Sequence, residues 1–435
     1  MVSVQPDSLG NSRQSAIYPA WTAGSRRRGA ASKLGAVATP PLERFADLIV
    51  GFGANVQHGQ VVAIGSETGK EELTREIAAS AYRHGAKFVD VGYFDPWVKR
   101  ARITHAPEDT LGFVPSWYGE RILALGDQRC ARIGLSGTVA PGLLDDLDPA
   151  RAGRDQLPFV RESGIVVNDR TTNWTIAPCP TPAWAAIVYP DLPPEEALQR
   201  LWEAVLHVCR LDEEDPVGAW RERMDTVTGA AEVLTVRRFD AVHFEGPGTD
   251  LRVGLLPTSR WWSARFSTVD GIEHMPNVPS EEAFTAPDPA RVDGMVRATK
   301  PLELQGTIVR GLEVRFEGGR AVDIHAESGG EALRARTGLD EGAARLGEVA
   351  LVDRDGRVGP LGTVFYDTLI DENAASHIAL GNAYSFCVED QDRSRLNTSA
   401  IHIDFMIGGV DVEVTGIEPG GERVPVLRGG AWQLP

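Results

Sequence analysis

Two patterns near the carboxyl end of the chain carry residue types that do chemistry. His402-Ile403-Asp404 lies inside residues 400–407, an otherwise apolar run that predicts a strand. Strand side chains alternate between faces, so the imidazole and the carboxylate share one side, a few ångströms apart, where they could hold one cation. The same pair could instead hydrogen-bond to each other at a sheet edge. Upstream, Asp371-Glu372-Asn373 is followed by Ala374-Ala375-Ser376 and then His377. The small residues leave space for an ion or a substrate, and the stretch can turn into a helix. Glu348 opens a strand-like run, and Glu281-Glu282 follows Ser280. Taken singly, such glutamates are ordinarily solvated or capping groups.

Other motifs fail on spacing. Gly51 and Gly53 form a bare G-x-G after a helical pattern, without the third glycine or the preceding strand of a dinucleotide site. Gly69-Lys70-Glu71 lacks the gap and the hydroxyl of a phosphate loop and reads as a turn before a helix. Neither H-E-x-x-H nor G-x-S-x-G occurs, which removes a thermolysin-like zincin and an esterase elbow.

The elements that must position these residues fall into two textures. Residues 42–54 have helical spacing, 60–64 form a short β-branched run, 70–84 are helical again, and 87–92 predict another strand. Strand, helix, strand in so short a span is a βαβ unit, which implies a parallel sheet. A stronger helix opens at Pro194, with Leu198, Leu201, Trp202, Val205 and Cys209 on one apolar face that reads as core. After about Arg237 short alternating segments (249–256, 307–316, 321–326) are separated by Gly-rich turns, with one helix expected over 331–346. The fold class expected is α/β: an amino-terminal α/β domain with a parallel sheet over 42–230, and a β-rich α+β carboxyl-terminal metal-binding domain over 231–435. Residues 1–41, rich in Ser, Gly, Ala, Pro and Arg without apolar periodicity, read as a disordered extension.

The whole composition narrows the classes. The 435 residues carry 44 basic and 61 acidic side chains, a net charge of −17, which argues against nucleic acid as the main partner. No uninterrupted apolar run reaches the ~18 residues of a membrane span. The four cysteines, Cys130, Cys179, Cys209 and Cys387, stand singly with no C-x-x-C pair, which excludes a zinc knuckle and points to a reduced, cytoplasmic setting. Trp261, Trp262 and Phe266 read as core aromatics in the β-rich half.

Longer strings carry a resemblance. PNVPSEEAFTAP (276–287), GEVALV (347–352), VFYDTLIDENAASHIALGNAY (364–384), NTSAIHIDFMIGG (397–409) and the close PVLRGGAW (425–432) resemble the thermophilic aminopeptidase family, the aminopeptidase T and aminopeptidase S type of metallopeptidase. The likeness runs in order from about Leu42 to the end. It implies a two-domain homodimer whose carboxyl-terminal domain holds two divalent metal ions and removes amino-terminal residues from peptides. Carried across motif by motif, it places the metal ligands on Glu282, Glu348, His377, His402 and Asp404, with Glu348 bridging, the catalytic glutamate on Glu372 and the catalytic tyrosine on Tyr384. Glu281 competes with Glu282 for the first of these places. The stretch between Tyr384 and His402 looks short and polar for the family.

The implied chemistry is consistent with the residue types. Three carboxylates and two imidazoles suit zinc, cobalt or manganese, and two such ions give a bridging water at neutral pH. A carboxylate such as Glu372, not spent on metal, could take its proton and return it to the leaving amine. Tyr384 could donate to the oxyanion. The substrate expected is a peptide with a free amino terminus. A metal-dependent amidohydrolase acting on a small non-peptide amide, and a metal-binding homologue without turnover, remain open from the sequence.

Overall fold

The structure is a computed structural model describing residues 41–434 except 156, 159, 305 and 306. The extension expected over 1–41 therefore lies, save for Pro41, outside the described residues.

Residues 61–94 form the expected unit: strand Val61–Glu67, helix Glu71–Arg83 and strand Phe88–Phe94, the two strands parallel with Val61 opposite Phe88. Leu73, Ile77 and Ala81 recur at helical spacing and are buried against the sheet. Two further parallel strands, Ala131–Ser136 and Trp174–Pro178, extend the sheet from the other edge of Val61–Glu67. Leu42–Leu48 is an α-helix that widens into a π-turn over Ile49–Gly53. Helix Pro194–Val208 starts with proline inside its first turn, where the missing N–H costs nothing, and buries Leu201 and Val205. The expected division near residue 230 falls inside the next helix, Pro216–Arg237, and strands begin at Ala241. Met275 and Val278, from the carboxyl-terminal half, pack in the same core as Leu73 and Ile77.

Two expectations need correction. The helix expected over 331–346 covers only Gly330–Thr337. Gly338 follows it, and Leu346 already begins a strand, Leu346–Val352, buried at every position. Total burial removes the period-2 signal that would have marked a strand. The segment 307–316 is two strands, Thr307–Val309 and Glu313–Glu317, parted at Gly311, whose φ of +59° favours glycine.

The carboxyl-terminal half holds an eight-stranded antiparallel sheet and a separate four-stranded one. The smaller sheet positions the site. Its strands lie in the order His402–Met406, His377–Gly381, Leu346–Val352, Glu282–Thr285, all antiparallel. Alternation sorts its residues cleanly. Ala283, Val349, Leu351, Ile378, Leu380, Ile403 and Phe405 enter the main hydrophobic core. The intervening residues Glu282, Glu348, His377, His402 and Asp404 therefore share the opposite face. Between them stand Ala350 opposite His377, Ala379 opposite Asp404 and Gly381 opposite His402, small residues that leave the middle of that face open. At Gly381 φ is +108° and an added Cβ would fall 2.1 Å from the Ile401 carbonyl oxygen, so the strand pair beside His402 needs glycine.

Candidate metal centre

The four strands bring five polar side chains to one patch. Glu282, Glu348 and His377 each offer a ligand atom within 4.8 Å of the others, and so do Glu348, His402 and Asp404. Glu348 belongs to both groups. Its Oε1 lies 3.7 Å from His377 Nε2 and its Oε2 lies 3.5 Å from His402 Nε2. Asp404 Oδ1 is 3.3 Å from His402 Nε2, and Glu282 Oε2 is 3.0 Å from His377 Nε2.

Both imidazoles are turned the same way by backbone carbonyls. His377 Nδ1 lies 3.1 Å from the Glu372 carbonyl oxygen and His402 Nδ1 lies 2.8 Å from that of Asn382. A ring whose Nδ1–H donates to a carbonyl presents the Nε2 lone pair to the cluster, the orientation that metal-ligating histidines ordinarily have. Glu282 Oε2 is buried and, despite its closeness to His377 Nε2, has no aligned hydrogen bond. Lone pairs that close need a cation or a proton between them, so this donor set fits divalent metal.

The electrostatics tell the same story. Burial pushes the Glu348 carboxyl up, partly offset by His377 and His402. Burial opposes charge on His377, yet Glu282 and Glu348 hold it well above the ordinary imidazole value. Burial likewise opposes His402, and Asp404 and Glu348 hold it at about 10. The site thus recruits positive charge wherever it can. Divalent ions would supply that charge and leave the imidazoles neutral.

Two further residues border the cluster. Glu372 is in neither ligand group. Burial, then Glu282 and Asp404, push its carboxyl well up, and Asn277 Nδ2 donates to its Oε1 at 3.2 Å. The Tyr384 ring lies 5.5 Å from that of His402, and burial and then the carboxylates Glu348 and Asp404 raise its phenol well above the usual range. Tyr384 stacks on Phe386 at 5.2 Å, and Phe284, Trp262 and Phe266 continue this aromatic cluster. Trp261 points instead into the main core.

Glu281, the rival of Glu282, faces away. Its carboxylate meets Arg210 at 2.8 Å and Arg223 at 3.5 Å, and Arg223 also pairs with Asp353. The Glu281 N–H donates to Asn373 Oδ1 at 2.5 Å. Sequence reading gave Asn277 and Asn373 no part here. Only the motif strings mark them, since a lone asparagine has no periodic signal.

A face of three carboxylates and two imidazoles with a fourth carboxylate beside it defines a metal-dependent hydrolase. Residues 38–432 match the sequence profile of the thermophilic metalloprotease (M29) family, and the chain belongs to that family. It is similar to aminopeptidase T of Thermus aquaticus, 42% identical over 405 residues that cover 91% of this chain and 99% of that one. Similar too is aminopeptidase 2 of Geobacillus stearothermophilus, 36% identical over 403 residues covering 90% and 97%. The solved structure of wild-type AmpT from Thermus thermophilus matches with a TM-score of 0.81 at 42% identity, covering 90% of this chain and 98% of that one.

Proposed function

We propose that this metal-dependent aminopeptidase uses Glu282, Glu348, His377, His402 and Asp404 to hold two divalent ions, with Glu348 shared between them. The observation that carries the reading is the division of Glu348, whose two oxygens face two different imidazoles. When bound, zinc, cobalt or manganese ions there supply Lewis acidity and an activated water. The chain's own groups do the rest. Glu372 is outside both ligand groups, and the carboxylates that push its carboxyl up would be offset by bound cations, which would leave it ionised to accept the proton of the attacking water and return it to the leaving amine. Tyr384, kept protonated by burial and then by the neighbouring carboxylates, donates a hydrogen bond to the developing oxyanion. The acidic patch attracts the cationic α-amine of a peptide, so cleavage starts at the amino end.

A peptide carrying an amino-terminal leucine and its N-acetylated twin test this. Stepwise release from the free peptide and none from the acetylated one is the expected result. Early internal fragments, or equal cleavage of both, would contradict it.

We infer also that the protein is a cytoplasmic homodimer. The edge strand Phe88–Phe94 exposes Phe88 from one face and Val91 and Tyr93 from the other, and Trp97, Phe113 and Trp117 are exposed farther along the chain, so a second copy set against this edge would cover apolar surface. All four cysteines are free and buried. No helix among the described residues is long and apolar enough to cross a membrane. Sedimentation of the wild type and of Phe88→Glu checks the dimer. A monomeric wild type would end that reading.

A further inference from the structure

We propose that Asn277 is a positioning residue for catalysis, holding the carboxylate of Glu372 in place from the amino-terminal sheet. This inference rests on the role given to Glu372 above.

The backbone on both sides of Asn277 is tied to the amino-terminal sheet. The Ile176 N–H donates to the Pro276 carbonyl at 2.7 Å and the Val278 N–H donates to the Ile176 carbonyl at 2.9 Å, forming an isolated parallel bridge between Ile176 and Asn277. Ile176 belongs to Trp174–Pro178, the outermost strand of that sheet. Two residues before Asn277, the Met275 N–H donates to the Gly53 carbonyl at 2.8 Å. Asn277 is thus in effect a residue of a fifth, one-residue strand, joined to the sheet by the two backbone hydrogen bonds at Ile176. From there Nδ2 reaches Glu372 Oε1 at 3.2 Å, across 95 positions of sequence.

The other half of the amide shows what this side chain is for. Asn277 Oδ1 is buried and has no hydrogen-bond partner among the described residues. A buried orphan acceptor lowers stability, and a side chain kept only for structure would be better replaced by an apolar one of equal size. Among the described residues the bond to Glu372 is the one hydrogen bond of this side chain, so its worth lies in what Glu372 does. One anchored oxygen fixes the plane of the carboxylate and leaves Oε2 to exchange protons with water and leaving group. Without the anchor the carboxylate rotates among several orientations, and fewer of them accept the proton in line. Asn373, next to Glu372, is held separately: its Nδ2 donates to the Leu369 carbonyl at 2.8 Å and its Oδ1 accepts from Glu281. Asn277 therefore bears on the carboxylate and Asn373 on the backbone that carries it.

The test uses the metal-loaded full chain with an aminoacyl anilide, comparing the wild type, Asn277→Leu, Glu372→Gln and the double variant. For Asn277→Leu the expected result is a fall in kcat of roughly 10- to 100-fold, with KM and bound metal close to wild type and a melting temperature equal or higher. On the Glu372→Gln background the same change should cost nothing further, because its effect passes through the carboxylate that is already gone. Asn277→Ala, smaller than the site, repeats the comparison should leucine fail to fold. Unchanged kcat, an equal loss in both backgrounds, or a drop in melting temperature that accounts for the loss of activity would overturn the proposal. A wild type that cleaves no amino-terminal residue at all would instead overturn the aminopeptidase reading, so the two failures are distinguishable.

Discussion

Glu281 and Glu282 are neighbours in sequence and face opposite ways: Glu282 lies 3.0 Å from His377 in the acidic cluster, while Glu281 lies 2.8 Å from Arg210 in a buried ion-pair network. Their substitutions should separate cleanly. Glu282→Gln is expected to lower bound metal and activity together without destabilising the metal-free fold. Glu281→Leu leaves Arg210 and Arg223 short of a partner and should cost roughly 3–5 kcal/mol of stability. Metal analysis and denaturant unfolding of both variants decide it. The reverse pattern would return the ligand role to Glu281.

On the roles proposed above, Glu372→Gln removes the base and no ligand atom, so it should retain the wild-type metal content while turnover falls roughly 10²- to 10⁴-fold. If metal is lost in proportion to activity, Glu372 belongs to the coordination shell.

For Tyr384→Phe the ring, with its stacking on Phe386, survives and only the hydroxyl disappears. We expect kcat to fall roughly 10²- to 10³-fold with little change in KM, the behaviour of a donor that acts only in the transition state. A rise in KM at constant kcat would make Tyr384 a substrate-binding group instead.

Metal removal should make stability depend on pH in one direction. His402 is held at about 10 against an ordinary value near ~6.5. Its folded pKa is raised, so its contribution is complete below the unfolded value and disappears as pH rises through the folded one. The raised carboxyls of Glu348 and Glu372 act in the same sense, since they too bind protons more tightly in the folded chain. The chelated protein should therefore melt at progressively lower temperature from about pH 6.5 to about pH 10. Reloading with zinc should flatten the slope, because bound ions replace the protons. A flat profile for the chelated protein would remove the charge argument for this site.

How much could be read without coordinates follows from the range of each interaction. The βαβ unit at 61–94 and the helix at Pro194 were legible because their periodicities are local, and His402-x-Asp404 was legible because alternation along one strand puts both on a face. The strand Leu346–Val352 was partly hidden, since a segment buried on both faces loses its alternation, and the helix before it was overextended as a result. The motif strings named Glu282, Glu348, His377, His402 and Asp404 one by one, but no local pattern could say that four strands far apart in sequence lie side by side with these residues on one face. Register decided that, and register is a property of the sheet. Between Glu281 and Glu282 the motif left a one-residue ambiguity and pointed to the second; a one-residue step reverses the face, and the pairing of Glu282 with Val352 puts Glu282 on the side that meets His377. Asn277 stayed invisible because its role arises from a sheet edge at Ile176 on one side and a carboxylate in a distant turn on the other. Residue types and local spacing set which chemistry was available, and long-range pairing, which depends on the whole core, decided which side chains meet to perform it.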